Sequence, residues 1–137
     1  MFKERMTETM MYRVLKGISD IHQGTFCSIE TGGSSIGVPD VYYFDPAITG
    51  WIELKVIKWI ARDEVYRFDY RKGQLPWLRK HHRTNKRTFC LGWYDNQYFL
   101  FDEFYKEMDD IEKRSLWYGP SLKDKGLLNI LFGEKKK

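Results

Sequence analysis

GVPDVYYFDPAITGWIELKV, residues 37–56, sets two apolar runs against each other across a turn, and both runs carry charge. "PDVYYFD" reads as one strand, "PAITG" as the turn, and "WIELKVI" as a second strand that is apolar apart from Glu53 and Lys55. Residues i and i+2 of a strand share a face, so Glu53 and Lys55 point one way while Ile52, Leu54 and Val56 point the other. Antiparallel pairing through the turn brings the opening of the first strand to the far end of the second, and so gathers Asp40, Glu53 and Lys55. Two carboxylates beside a lysine at a sheet rim are costly to bury without a purpose. A divalent cation supplies one, because Mg²⁺ takes hard oxygen ligands, keeps several waters and bridges to phosphates. The plain alternative is an ordinary Glu–Lys pair on a solvated strand face.

Working outward, residues 5–22 predict a helix, with Met6, Met10, Met11, Val14, Leu15 and Ile18 at three- and four-residue steps. "TFCSIE" (25–30) reads as a strand and "TGGSSIG" (31–37) as a connection. The glycines of that connection are weak support for a phosphate cradle, since no Lys-Ser/Thr follows. "KWIARDEVYRFDY" (58–70) is open between strand extension, hairpin arm and loop. "QLPWLRKHHR" predicts a helix starting near 73–75, because Pro76 is tolerated only in a first turn. "RTFCLGWY" and "QYFLF" are strands joined at Asp95-Asn96, a hairpin turn pair. "DEFYKEMDDIEKR" (102–114) predicts an amphipathic helix with Phe104, Met108 and Ile111 on one face; "LLNILF" (127–132) is apolar and without an assigned place. A helix, three strands, a helix, two strands and a helix make an α/β domain with one mixed sheet covered on both faces.

A chain of 137 residues holds one domain, with its core over about 6–101 and a C-terminal helix and tail over 102–137. No apolar run reaches the length of a membrane span, and the first residues lack the apolar region of a signal peptide. Cys27 and Cys90 have no CxxC spacing and read as buried thiols in a reducing, cytoplasmic setting. Net charge is only +4, but residues 71–87 hold Arg71, Lys72, Arg79, Lys80, Arg83, Lys86 and Arg87 with no acid, whereas 102–112 is strongly acidic. A basic block of that density suits a polyanion, whose counterions it releases, and it equally suits a solvated helix face.

"GVPD", then "IELK" on the next strand, then a helix opening with Gln74, resembles the PD-(D/E)XK nuclease superfamily, in its virus-type replication-repair (VRR-NUC) and Holliday-junction-resolvase-like branches common in phages. The likeness spans about residues 6–94. It implies a restriction-endonuclease-like three-layer α/β/α fold with a mixed five-stranded sheet in sequential order and an αβββαββ core. It implies a Mg²⁺ ion, replaceable by Mn²⁺, held by Asp40, Glu53 and the Leu54 carbonyl, with Glu8 or Glu30 as a further acid. Lys55 would position the attacking water and stabilise charge on the phosphate, and Gln74 would support the site. The connection between Lys55 and Gln74 is longer than the pattern needs; it is expected to form a hairpin whose Arg62, Arg67 and Arg71 touch DNA, beside Lys72, Arg79, Lys80 and Arg83. The implied function is a DNA endonuclease, with branched or four-way-junction DNA as first choice and a homodimer to cut both strands. "TFCLGWY" and "LLNILF" are its candidate dimer surfaces. The competing functions are a silent nucleic-acid-binding or interaction protein on the same fold, and a restriction-type or single-strand nuclease.

The remaining candidates weigh less. His81 and His82 lack the spacing of a zinc-protease helix, His22 has no evident partner, and neither cysteine sits in a triad pattern. Trp77 shares a helical stripe with Gln74 and His81 and reads as core. Trp51 and Trp59 flank the site strand and read equally as base-stacking platforms or as buried packing.

Overall fold

The structure, a computed structural model, describes residues 5–18, 24–29 and 37–133. Glu30, His22 and the glycine-rich stretch 31–36 therefore lie outside the described residues, as does the end of the first predicted helix. Helix α1 (Glu8–Gly17) starts where the Thr7 hydroxyl accepts the Met10 N–H at 3.1 Å, and it buries Met11 and Leu15. Strands β1 (Thr25–Ser28), β2 (Val41–Phe44) and β3 (Thr49–Val56) form an antiparallel meander. The turn between β2 and β3 is held by the Asp45 carboxylate, which accepts the N–H groups of Ala47 and Ile48 at 2.8 and 2.7 Å.

A hairpin of β4 (Lys58–Ile60) and β5 (Val65–Arg67) precedes helix α2 (Gln74–His82), which leads into β6 (Thr88–Tyr94) parallel to β3. Strand β7 (Gln97–Phe101) returns antiparallel through Asp95 and Asn96, whose φ angles of 48° and 63° are those a tight hairpin of this hand requires. Then follow β8 (Glu107–Met108), α3 (Ile111–Arg114), β9 (Trp117–Gly119) and α4 (Lys125–Phe132). The fold is mixed α/β: a six-stranded sheet in the order β1-β2-β3-β6-β7-β9 and a second sheet in the order β4-β5-β8. Neither β9 nor the second sheet is expected from the sequence. The stretch open between extension, hairpin and loop is the β4–β5 hairpin.

Strand alternation divides the interior in two. Ile52 and Leu54 of β3, Phe89 and Leu91 of β6, and Tyr98 and Leu100 of β7 pack with α1 and α4 on one face. Cys90, Phe99 and Phe101 pack on the other face with Leu75 and Leu78 of α2 and with Met108 and Ile111. Glu53 and Lys55 share that second face, and the β2–β3 register, continued by one residue beyond Val41↔Ile52, sets Asp40 opposite Glu53.

One expectation is corrected. Residues 102–114 are not one amphipathic helix, because their backbone is engaged elsewhere: the Phe104 carbonyl accepts Arg79, the Lys106 carbonyl accepts Phe68 N–H, and Glu107–Met108 pairs with β5. Phe104, Met108 and Ile111 still reach the core from this irregular path, and only Ile111–Arg114, capped by Asp110, is helical. The side chains of "TFCLGWY" and "LLNILF" are largely taken up by the cores: β6 is an interior strand, and Leu127, Leu128, Leu131 and Phe132 of α4 are buried in the first core. Among the described residues no helix is long and apolar enough to cross a membrane.

Candidate functional site

Three local features build the site. The extended arrival at β2 puts the Asp40 carboxylate against β3, where its Oδ2 accepts the Leu54 N–H at 3.0 Å. The alternation of β3 aims Glu53 and Lys55 at the α2 face, where both are buried, with side chains 0% and 4% exposed. The chain then enters α2 through Gly73 at φ 87°, a left-handed conformation that suits glycine, and this turns the first helical side chain, Gln74, inward. A second glycine makes the approach tight: a Cβ on Gly37 would lie 2.2 Å from the Gly73 carbonyl oxygen.

These residues form one network. Glu53 Oε1 accepts the Asp40 N–H at 3.2 Å, while Oε2 accepts Gln74 Nε2 at 2.7 Å and lies 2.9 Å from Lys55 Nζ. Gln74 Oε1 accepts both Lys55 Nζ at 3.1 Å and the Arg71 N–H at 2.6 Å. Lys55 Nζ also donates to the Asp69 carbonyl at 2.8 Å and lies 5.0 Å from the centre of the Tyr70 ring. An ammonium has three donors, and Glu53, Gln74 and Asp69 engage all three. Outside this core, Arg71 Nη2 meets Asp40 Oδ1 at 3.2 Å and Glu8 Oε1 stands 3.8 Å from Lys55 Nζ; both side chains are well exposed.

The electrostatics follow. Burial and the neighbouring Asp40 carboxylate push the Glu53 carboxyl up to about 7, against the pull of Lys55. Glu8 is raised by burial and by Asp40 as well. Cys90, opposite Glu53 in the parallel β3–β6 register, is a neutral thiol pushed up to about 12 by burial, and Cys27 and Cys90 are both free.

The donor set fits a small hard cation with few protein ligands. Asp40 and Glu53 are adjacent carboxylates whose mutual repulsion contributes to the raised Glu53 carboxyl, and a divalent cation between them would offset it. Among the described residues no group of three or more histidine, cysteine or acidic side chains gathers as a protein cage, so water would complete the shell, as Mg²⁺ prefers. The Arg71–Asp40 contact is an exposed ion pair of small net worth, so it presents little obstacle.

The structure brings Asp40, Glu53, Lys55 and Gln74 together with Glu8 nearby. The basic residues divide. Arg79 is exposed but its guanidinium is engaged, its Nε and Nη2 donating to the Phe104 carbonyl at 3.1 and 2.6 Å, and Arg67 pairs with Glu107 and Asp63. Arg62 pairs with Asp63. Lys72, Lys80 and Arg83 are exposed, and among the described residues none of them makes an ion pair. Asp69 and Tyr70 are the participants that sequence reasoning missed. A backbone carbonyl leaves no signature in a sequence, and Tyr70 is one aromatic among many.

Comparison of the chain with protein-family models, with curated proteins and with solved structures returned no match.

Proposed function

We propose that this chain is a divalent-metal-dependent DNA endonuclease of the PD-(D/E)XK type, on a restriction-endonuclease-like arrangement with β1-β2-β3-β6-β7 as its five-stranded core. The observation that carries the reading is the convergence of Asp40, Glu53, Lys55 and Gln74 on one hydrogen-bonded network at the rim of a parallel β3–β6 pair. Asp40, Glu53 and the Leu54 carbonyl would hold Mg²⁺ or Mn²⁺, with Glu8 as the described candidate for a further acid. When bound, the cation neutralises the phosphate and makes water a better nucleophile near neutral pH.

The chain's own residues supply the rest. Gln74 orients Glu53 and Lys55 at once, through its amide N–H and its carbonyl. Lys55 Nζ lies beside the Glu53 carboxylate and next to the Tyr70 face, where it would stabilise charge developing on the phosphate. Arg71 and Lys72, at the entry of α2, are exposed for the flanking phosphates. Branched DNA cut by a homodimer is the proposed substrate and assembly. Free cysteines agree with a reducing compartment.

A second reading has its own observation. All three Lys55 donors are already satisfied within the protein, which suits a nucleic-acid-binding module that does not cut. Labelled four-way junction, linear duplex and single strand, each with Mg²⁺, Mn²⁺ or EDTA, separate the two. Metal-dependent cutting that disappears in Glu53→Gln is expected. Binding without cutting under every condition refutes the nuclease.

A further inference from the structure

Among the described residues, the two faces of the main sheet are covered unequally. On one, α1 and α4 reach from β1 to β7. On the other, α2 and the small sheet cover β3, β6 and β7, and among the described residues no element packs over β1 and β2. This open part of the face continues the site, because Tyr42 and Phe44 follow Asp40 on the same side of β2, and Trp51 precedes Glu53 on the same side of β3. Two residues along a strand is roughly 7 Å, so the rings begin beside the proposed scissile position.

The rings are contiguous. Tyr42 lies 5.7 Å from Phe44 and 4.9 Å from Trp51 between ring centres, and Trp51 meets Trp77 of α2 edge-on at 5.1 Å. His81 lies flat on Trp77, 3.5 Å away with 6° between the planes. That is about the spacing of successive bases along a strand. The His81 ring is pinned there, since its Nδ1 is 2.8 Å from the Trp77 carbonyl, which can only accept. Trp77 leans on the second core, but Tyr42, Phe44 and Trp51 join neither core. Tyr42, Trp51, Trp77 and His81 are half-buried, and Phe44 is 37% exposed. Lys80 stands one helical turn from Trp77, and Lys72 just before α2; both are exposed, in a stretch with no acid from 71 to 87.

From this we infer that the Tyr42–Trp51–Trp77–His81 strip is a stacking platform for unpaired bases of a single-stranded DNA segment next to the phosphate held at Asp40 and Glu53. The inference rests on the nuclease reading for its placement at a cut site. Its physical warrant is separate: rings present π-faces that only unpaired bases can meet, and Lys72 and Lys80 complement the backbone charge. A continuous duplex hides its base faces within the stack, so the favoured substrate is one with a frayed, flapped or unpaired stretch at the cut.

The test is binding in EDTA, where no cutting occurs, of oligo(dT) against an abasic oligomer of the same length and charge. Stacking of even one base predicts oligo(dT) tighter by at least about fivefold. That gap should narrow in Trp51→Leu, in His81→Ala, or in both, with circular dichroism confirming that each variant is folded. His81→Ala removes a half-buried surface ring, so it decides the matter if Trp51→Leu does not fold. Equal affinities, no measurable binding, or a gap that every folded variant retains overturns the platform. Metal-dependent cutting without the gap refutes the platform and leaves the nuclease standing; the gap without cutting does the reverse.

Discussion

Replacing Glu53 by Gln should change how the stability of this protein depends on pH, in a direction the structure dictates. Burial, then the Asp40 carboxylate, pushes the Glu53 carboxyl from 4.5 to about 7, and Lys55 only partly opposes them. The folded state therefore holds this proton more tightly than the unfolded chain does. Stability from the protonated group is fully present below pH 4.5, declines as pH rises, and is gone above about 7. The shift corresponds to about 3 kcal/mol between those limits, a large part of the stability of a small domain. Urea unfolding in EDTA, followed by tryptophan emission at pH 5 and pH 8, measures it. The wild-type chain should lose about 2.5 kcal/mol more than Glu53→Gln over that interval, since pH 5 already lies above the unfolded value. Some slope should persist in the variant, because Glu8 is raised by the same two causes. Adding Mg²⁺ at pH 8 should restore stability to the wild type and not to the variant, since a ligand stabilises the state it binds. Parallel pH dependences in the two proteins would refute the account of Glu53 as a buried carboxyl in conflict with Asp40.

Gln74→Leu removes the amide that joins Glu53, Lys55 and the Arg71 N–H. It should destabilise the protein by about 2–3 kcal/mol by leaving buried polar groups short of a partner, which the same urea titration reads, and it should lower cleavage more than DNA affinity. Exchanging Lys72, Lys80 and Arg83 together for Gln should reduce the slope of log affinity against log salt by about 2–3. Arg79→Gln should instead leave that slope unchanged and lower stability, because its guanidinium is engaged on the Phe104 carbonyl.

Much of the fold was legible where the local rule and the tertiary outcome agree. Pro76 lies in the first turn of α2 and Asp95-Asn96 turns the β6–β7 hairpin, each for a backbone reason that acts over a few residues. The Asp40–Glu53–Lys55 cluster was legible too, since the period of a strand and the short β2–β3 turn together dictate the register. Residues 102–114 misled because steps of three and four residues satisfy a helix, while the distant partners that claim their backbone, Phe68, Arg79 and β5, are invisible locally.

The sequence by itself determined which residues bear charge inside apolar strands, and so where chemistry was to be sought. Only the tertiary structure decided that α2 lays Gln74 across Glu53 and Lys55, that Arg79 is engaged on the Phe104 carbonyl while Lys72 and Lys80 stay free of ion pairs among the described residues, and that β2 carries rings under no described element. The physical reason is range. Alternation and turn chemistry act between neighbours in the chain, whereas the competition of a buried carboxylate, an ammonium and an amide for one another is settled only when separate elements meet.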